Sequence, residues 1–222
     1  PTLSELYATD IAKKNDRLTI GNLDLKPEKN NYFSLSAEYV HERFSVSVNA
    51  FYNNIRDMID YNTIATGDKA MEQYGHKEVR QRDNIAEAKV HGINVSANAY
   101  LGAGFNLSGG YTHLNTQDVE LEQPIDKSIK NAYNINAQWA HSWKIYRLNI
   151  NLNGRFNSKR FSKSYGYAPE YQLWDLNTRH SFNLKSVIIE PGFGMENLFD
   201  YMDDRPYNSN YATLTPGRSF YI

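Results

Sequence analysis

Ile93-Asn94-Val95-Ser96-Ala97-Asn98-Ala99-Tyr100-Leu101, then Gly102-Ala103-Gly104, then Phe105-Asn106-Leu107-Ser108-Gly109-Gly110-Tyr111-Thr112, is a strand, a tight turn and a second strand. Ile93, Val95, Ala97, Ala99 and Leu101 share one face, and Asn94, Ser96 and Asn98 share the other. After the glycine turn, Phe105, Leu107, Gly109 and Tyr111 oppose Asn106, Ser108 and Thr112. Strict period-2 alternation marks a sheet with one apolar and one polar face.

The same pattern repeats in both directions along the chain. Upstream, Phe33 to Tyr39 and Phe44 to Tyr52 alternate in this way. Downstream come Tyr133 to Trp139, Leu148 to Phe156, Leu176 to Leu184, Val187 to Asn197, and a clipped run at Ser219-Phe220-Tyr221-Ile222. That makes roughly nine strands, with Pro191 inside one of them, where its missing N–H suggests a strand start or a bulge.

The connections alternate between short and long. Tight turns are expected at Glu42, Gly102-Ala103-Gly104, Ser142-Trp143-Lys144 and Lys185-Ser186. Long polar connections fall at about 57–83, 117–130, 157–170 and 200–215. Short turns at one end and long loops at the other are the rhythm of an antiparallel up-and-down transmembrane β-barrel. A soluble sandwich has no reason to keep its long loops at one end. Aromatic residues gather beside the tight turns (Tyr39, Phe44, Phe105, Trp139, Trp143, Tyr146) and toward the long loops (Tyr111, Tyr133, Phe156, Tyr171, Trp174). Two girdles of amphipathic rings are expected where a sheet crosses both headgroup zones.

Composition agrees with an all-β membrane wall and excludes several alternatives. The 222 residues are 41% hydrophobic with 17 tyrosines and no cysteine, and mean hydropathy is −0.66. No apolar run reaches the roughly 18 residues of a membrane-spanning helix, but a barrel strand shows lipid only every second residue. The formal net charge of −1 gives no electrostatic reason to bind nucleic acid. There is no disulfide framework or thiolate metal site, and His41, His76, His91, His113, His141 and His180 are scattered without metal-ligand spacing. No Gly-x-Ser-x-Gly elbow, His-Glu-x-x-His or phosphate-cradling loop occurs, so an enzyme is not expected, nor any cofactor or metal.

Three motifs bring a resemblance to a family. Pro1-Thr2-Leu3-Ser4-Glu5-Leu6-Tyr7 precedes Gly21-Asn22-Leu23-Asp24-Leu25-Lys26-Pro27-Glu28. Asn84 to Gly92 follows, and Asn197-Leu198-Phe199-Asp200 comes before Pro216-Gly217-Arg218-Ser219-Phe220. In this order they resemble the later barrel strands of TonB-dependent outer-membrane receptors. The resemblance implies that residues 1–222 are the C-terminal part of one barrel domain of about 22 strands. The plug domain and the first half of the barrel would then lie outside this chain. It also implies energy-coupled uptake of a scarce nutrient at the bacterial outer membrane. Partners would be outer-membrane lipid, the TonB complex through the plug, and a metal chelate such as a ferric siderophore, haem or cobalamin. Haem receptors of that family usually carry a histidine between the two opening motifs. Ala8 to Ile20 has none, and Leu23 stands where proline is common.

Ligand contacts are then expected in the long connections. Tyr74, His76, Arg80 and Arg82 belong to one, Arg160, Tyr165 and Tyr167 to another, and Arg205, Tyr207 and Tyr211 to a third. Arginine and tyrosine suit anionic chelates and stacked rings. The rival expectation is a complete small structural or adhesive outer-membrane barrel without TonB dependence, for which roughly eight strands suffice.

Overall fold

A computed structural model of the chain describes residues 1–163, 166–203 and 216–222. The chain divides into two compact units, one of residues 1–33, 52–90 and 117–123, the other of residues 34–51, 91–116 and 124–222.

The elements in chain order are α1 (Leu3–Tyr7), β1 (Thr9–Ala12), β2 (Arg17–Ile20), β3 (Lys29–Val40), β4 (Phe44–Thr66), α2 (Gly67–Tyr74) and β5 (Glu78–Gly102). Then come β6 (Phe105–Asp118), β7 (Asn131–Trp143), β8 (Tyr146–Asn157), β9 (Arg160–Ser162), β10 (Gly166–Ala168) and β11 (Tyr171–Leu184). The last are β12 (Val187–Ile189), β13 (Gly192–Glu196) and β14 (Ser219–Tyr221). Every alternating run of the sequence forms strand, the run from Val187 to Asn197 being split into β12 and β13.

The second unit is the antiparallel wall. β6 pairs β7 with Phe105 opposite Trp139, β7 pairs β8 with Trp143 opposite Tyr146, and β8 pairs β11 with Asn157 opposite Tyr171. Each pair joins through a tight turn or a long connection, as the sequence predicts. The turn between β5 and β6 is closed by Gly102, Ala103 and Gly104, all with positive φ; glycine takes that conformation at no steric cost. Between β7 and β8 the turn is centred on Lys144 and Ile145, one residue later than expected.

Pro191 is not a bulge; it stands in the two-residue break between β12 and β13, immediately before β13 starts at Gly192. β12 and β13 pair β11 in one unbroken register, with Phe182 opposite Ile189 and Arg179 opposite Gly192. His180 N donates to Pro191 O at 2.9 Å, so the proline removes one ladder bond without inserting a residue.

The wall's two faces explain the low mean hydropathy. Its apolar side chains point outward, and Leu107, Ile135 and Phe193 are 37%, 40% and 48% exposed. The opposite face carries amides: Asn136 Nδ2 donates to Asn151 Oδ1 at 2.9 Å and to Asn153 Oδ1 at 2.5 Å, and Asn153 Nδ2 donates to Asn151 Oδ1 at 2.7 Å. Rings gather at the tight-turn end, His141 edge-on to Trp143 at 4.5 Å, Trp143 stacked on Tyr146 at 5.5 Å and Tyr146 on Phe182 at 4.9 Å between centroids. At the other end Tyr111–Tyr133 and Tyr133–Phe156 lie 4.6 and 5.6 Å apart. These are the two expected girdles.

The first unit departs from the simple up-and-down expectation. The hairpin of β1 and β2 was not anticipated, and β2 pairs the start of β5 in parallel, Arg17 opposite Glu78 and Ile20 opposite Gln81. The connection at 57–83 is also shorter than expected. β4 continues to Thr66 and β5 begins at Glu78, leaving only α2 and three residues between them. A small core forms here: Val79 and Ala70 are fully buried and Leu25 nearly so.

Candidate functional site

The motif segments turn out to be joints. Thr2 and Glu5 form a capping box at the start of α1, satisfying two orphan donors of the helix end. Gly21 N donates to Ala8 O at 2.8 Å and Asn22 N to Glu5 O at 3.0 Å. A Cβ on Gly21 would sit 2.5 Å from Leu6 O, so a side chain there would push α1 away. Asn84 holds the Lys26-Pro27-Glu28 segment: its Oδ1 accepts Lys26 N at 2.7 Å, and its Nδ2 donates to Lys26 O at 3.0 Å and Asp57 O at 2.6 Å. Glu28 Oε1 accepts Ile59 N at 2.9 Å, and Lys29 pairs with Asp57 at 2.9 Å.

The closing motif is fastened in the same manner. Asn197 is buried, with φ of 52°. Its Nδ2 donates to Tyr201 O at 2.7 Å and to Pro216 O at 3.1 Å, while its Oδ1 accepts Tyr201 N at 2.8 Å. Asp200 Oδ1 accepts Arg218 N at 2.7 Å. Two short side chains therefore hold the start of the last strand against the end of β13.

The expected ligand residues fall into three situations. In the first unit, Tyr74 ends α2 and His76 follows it, but Arg80 and Arg82 stand on β5 and not in a loop. Glu78, Arg80 and Arg82 share one face by alternation. Arg80 Nε donates to Glu78 Oε1 at 2.6 Å. Arg82 lies over the Tyr61 ring, 3.7 Å from its centroid, and donates to the Tyr61 hydroxyl at 2.6 Å. His76 Nδ1 is 2.9 Å from Asp16 Oδ1. In the second unit, Arg160 and Tyr167 belong to the small hairpin of β9 and β10, where Tyr167 pairs Phe161. Tyr165, Arg205, Tyr207 and Tyr211 lie outside the described residues.

The bond from His76, with lesser help from the backbone N–H of Lys77, holds the Asp16 carboxyl below the usual aspartate range. Asp16 has a depressed folded value, so its contribution is complete above the unfolded-state value, near pH 4, and is lost as pH falls through the folded value. His76→Ala is expected to move Asp16 upward to the ordinary range, read by carbon-13 titration of its carboxyl. An unmoved titration would show that the bond does not form.

Sequence reasoning missed Tyr61 and Asp16, the partners of Arg82 and His76. It also missed the polar groove of the second unit, about 870 Å³, lined by Arg147, Asn149, Asn177, Arg179, Glu190 and Tyr221. The Tyr221 hydroxyl hydrogen-bonds Asn177 there. Its signal was the i, i+2 spacing of amides and arginines along β8 and β11. Among the described residues no group of histidine and carboxylate side chains could hold a metal ion.

A family model described as TonB dependent receptor-like, beta-barrel, matches residues 1–198. The chain belongs to this family. It is accordingly an outer-membrane β-barrel chain, and its amide-lined face is the lumen side of the wall. It is similar to the probable TonB-dependent siderophore receptor PiuA of Acinetobacter baumannii, with 29% identity over 153 residues, 61% of this chain and 20% of that protein. Its fold matches BauA, the ferric preacinetobactin receptor of the same species, at TM-score 0.68 and 17% identity, covering 96% of this chain and 31% of BauA. The copper transporter OprC matches equally well at TM-score 0.68 and 14% identity, covering 99% of this chain and 34% of OprC. The chain thus spans between a fifth and a third of the length of these relatives. Neighbours with different named cargoes share the wall, so the likeness carries the fold alone.

Proposed function

We propose that this chain is the C-terminal part of the barrel domain of a TonB-dependent receptor that takes up a ferric siderophore, with a plug domain and the earlier strands supplied by the remainder of a longer protein. The observation that carries this reading is the family match across residues 1–198. The siderophore named for the relative PiuA supports the cargo class over haem and cobalamin, as does the absence of a histidine between Ala8 and Ile20. The reading is of a transporter, not an enzyme. Coupling to TonB would pass through the plug.

In this reading the ligand is captured by the Arg82–Tyr61 pair, Arg80, His76 and Tyr74, and by Arg160 and Tyr167. Tyr165, Arg205, Tyr207 and Tyr211 complete the proposed set. A guanidinium already stacked on a phenol ring is pre-organised, so less entropy is lost when it meets an anionic chelate. A hydrogen bond to a charged group contributes about 1.5–3 kcal/mol, and each 1.4 kcal/mol is about tenfold in affinity. Arg82→Ala is therefore expected to weaken binding of a radiolabelled ferric siderophore to whole cells by about ten- to a hundredfold at unchanged surface expression. Deleting residues 67–77 should abolish uptake as well. Full uptake by both variants would sink the assignment of this region as the capture surface.

A further inference from the structure

The long connections of the second unit carry a charge that the chain as a whole does not. Residues 124–130 and 157–170 hold five cations, Lys127, Lys130, Lys159, Arg160 and Lys163, against two carboxylates, Asp126 and Glu170. That is a net +3 in a chain whose formal net charge is −1.

The two connections are joined into one platform. Lys127 N donates to Phe161 O and Phe161 N to Ser128 O, each at 2.9 Å, and Ile129 bridges Arg160 in antiparallel sense. β9 pairs β10 as well, so three short extended segments lie side by side. Asn131 N donates to Ser158 Oγ at 2.9 Å and Ser158 N to Asn131 O at 2.8 Å, tying the platform to the top of the wall. Ser162 and Ala168 share one face by alternation and are buried. Phe161 and Tyr167, opposite one another, take the other face with their rings edge-on at 5.3 Å, and Tyr167 is 55% exposed.

Lys127, Lys130, Lys159 and Lys163 are exposed and enter no ion pair among the described residues. Asp126 is committed to the backbone, its Oδ1 accepting Lys163 N at 2.8 Å. Ammonium groups gathered on one small sheet repel one another, so an arriving anion relieves the platform. The long connections face outward in such barrels. Charge of one sign fixed at the mouth of a cleft raises the on-rate of an oppositely charged solute by about 10–10³. The exposed ring pair beside the lysines suits a ligand with planar chelating groups.

We propose that this platform is an electrostatic entry site for a polyanionic ferric chelate, which it draws from solution before closer contacts form. The inference rests on the uptake function proposed above and narrows it. The cargo carries net negative charge, and lysines outside the capture set govern its rate of arrival.

The test is stopped-flow binding to the full-length receptor purified in uncharged detergent, read by tryptophan quenching. The probes are a ferric tris-catecholate and a ferric citrate chelate, both anionic, and an uncharged ferric trihydroxamate. Wild type is expected to bind an anionic chelate with an on-rate that falls about tenfold or more between about 10 and 500 mM salt, as the Debye length shrinks from about 30 to about 4 Å. The quadruple variant Lys127→Gln, Lys130→Gln, Lys159→Gln, Lys163→Gln should lower the low-salt on-rate about tenfold or more and flatten the salt dependence. Its off-rate should change less than about threefold, because rim charges act on arrival. Asp126→Asn, whose amide oxygen still accepts the Lys163 N–H, should raise the low-salt on-rate about twofold. Heat-modifiable gel mobility confirms a folded barrel in each variant. A quadruple variant with the wild-type on-rate, or one that loses affinity through the off-rate alone, would overturn the proposal. So would binding confined to the uncharged chelate, with the uptake function left standing. Binding of none of the three chelates would overturn both.

Discussion

Asn197→Ala is expected to lower the stability of the barrel by about 2–4 kcal/mol, since it removes three hydrogen bonds to part-buried or exposed backbone groups at about 0.5–1.5 kcal/mol each. Its side chain satisfies Tyr201 N, Tyr201 O and Pro216 O together, and only 4% of the residue is exposed. The backbone at this position adds to the effect. Its φ of 52° lies in the left-handed region, which asparagine tolerates better than alanine and which costs an ordinary residue about 1–2 kcal/mol. Asn197→Gly removes the same bonds without that strain, so it should fall about 1 kcal/mol short of the alanine loss. The measurement is the urea midpoint of the receptor refolded into detergent, at unchanged slope. A shift under about 1 kcal/mol in Asn197→Ala would mean that water replaces the lost partners.

Gly92→Val should prevent normal assembly of the wall. Even a Cβ at Gly92 would collide with the backbone carbonyl oxygen of His113 on β6, and would stand 3.1 Å from the Phe51 ring. The first neighbour is backbone within a sheet, and the clash cannot be relieved by turning a side chain. Overpacking of this type costs about 1–3 kcal/mol or more, and here it also separates two paired strands. The readout is the fraction of receptor that migrates as a folded, heat-modifiable species in outer-membrane fractions. Gly92→Ala should show a smaller loss, and wild-type yield from Gly92→Val would disprove the close approach. The glycine closing the Asn84–Gly92 motif is thereby given a steric reason, independent of any ligand.

The part of the fold written most plainly in the sequence is the part that crosses the membrane. There, lipid on one side and a wet lumen on the other impose period 2 on every strand, so Ile93–Leu101 or Tyr133–Trp139 could be assigned to faces directly. Beyond the bilayer that constraint ends. Residues 58–66 and 78–90 are strand, yet their alternation is not one of apolar against polar: Glu78, Arg80 and Arg82 share one face, and the buried Val79 between them belongs to a small core. Asp57 hides the continuation of β4 further, because its φ of 56° breaks the alternation within a continuing strand. The parallel pairing of β2 with β5 was also out of reach, since its four residues carry no pattern distinguishing parallel from antiparallel partners. Pro191 was a fair warning: β13 starts directly after it, though without a bulge. Its missing N–H removes one bond, and the bonds on either side keep the register.

For the candidate site, the residue types were legible and their partners were not. Arginine, tyrosine and histidine in long connections were visible in the chain, but the stacking of Arg82 on Tyr61 joins residues 21 positions apart. The bond between His76 and Asp16 joins residues 60 apart. Such pairs depend on which strand tops meet, a matter of tertiary packing.

The sequence by itself determined the membrane wall: its strands, the face each residue takes, and the end at which the long connections lie. These follow from local alternation between two solvents and need no knowledge of distant contacts. Only the tertiary structure decided how Asn84 and Asn197 fasten the motif segments. It alone showed that Gly109 on β6 and Gly154 on β8 fall on one register line across β7, with the Trp174 ring filling the space over Gly154. Both depend on the register between strands, and register is a relation among segments that no single segment carries.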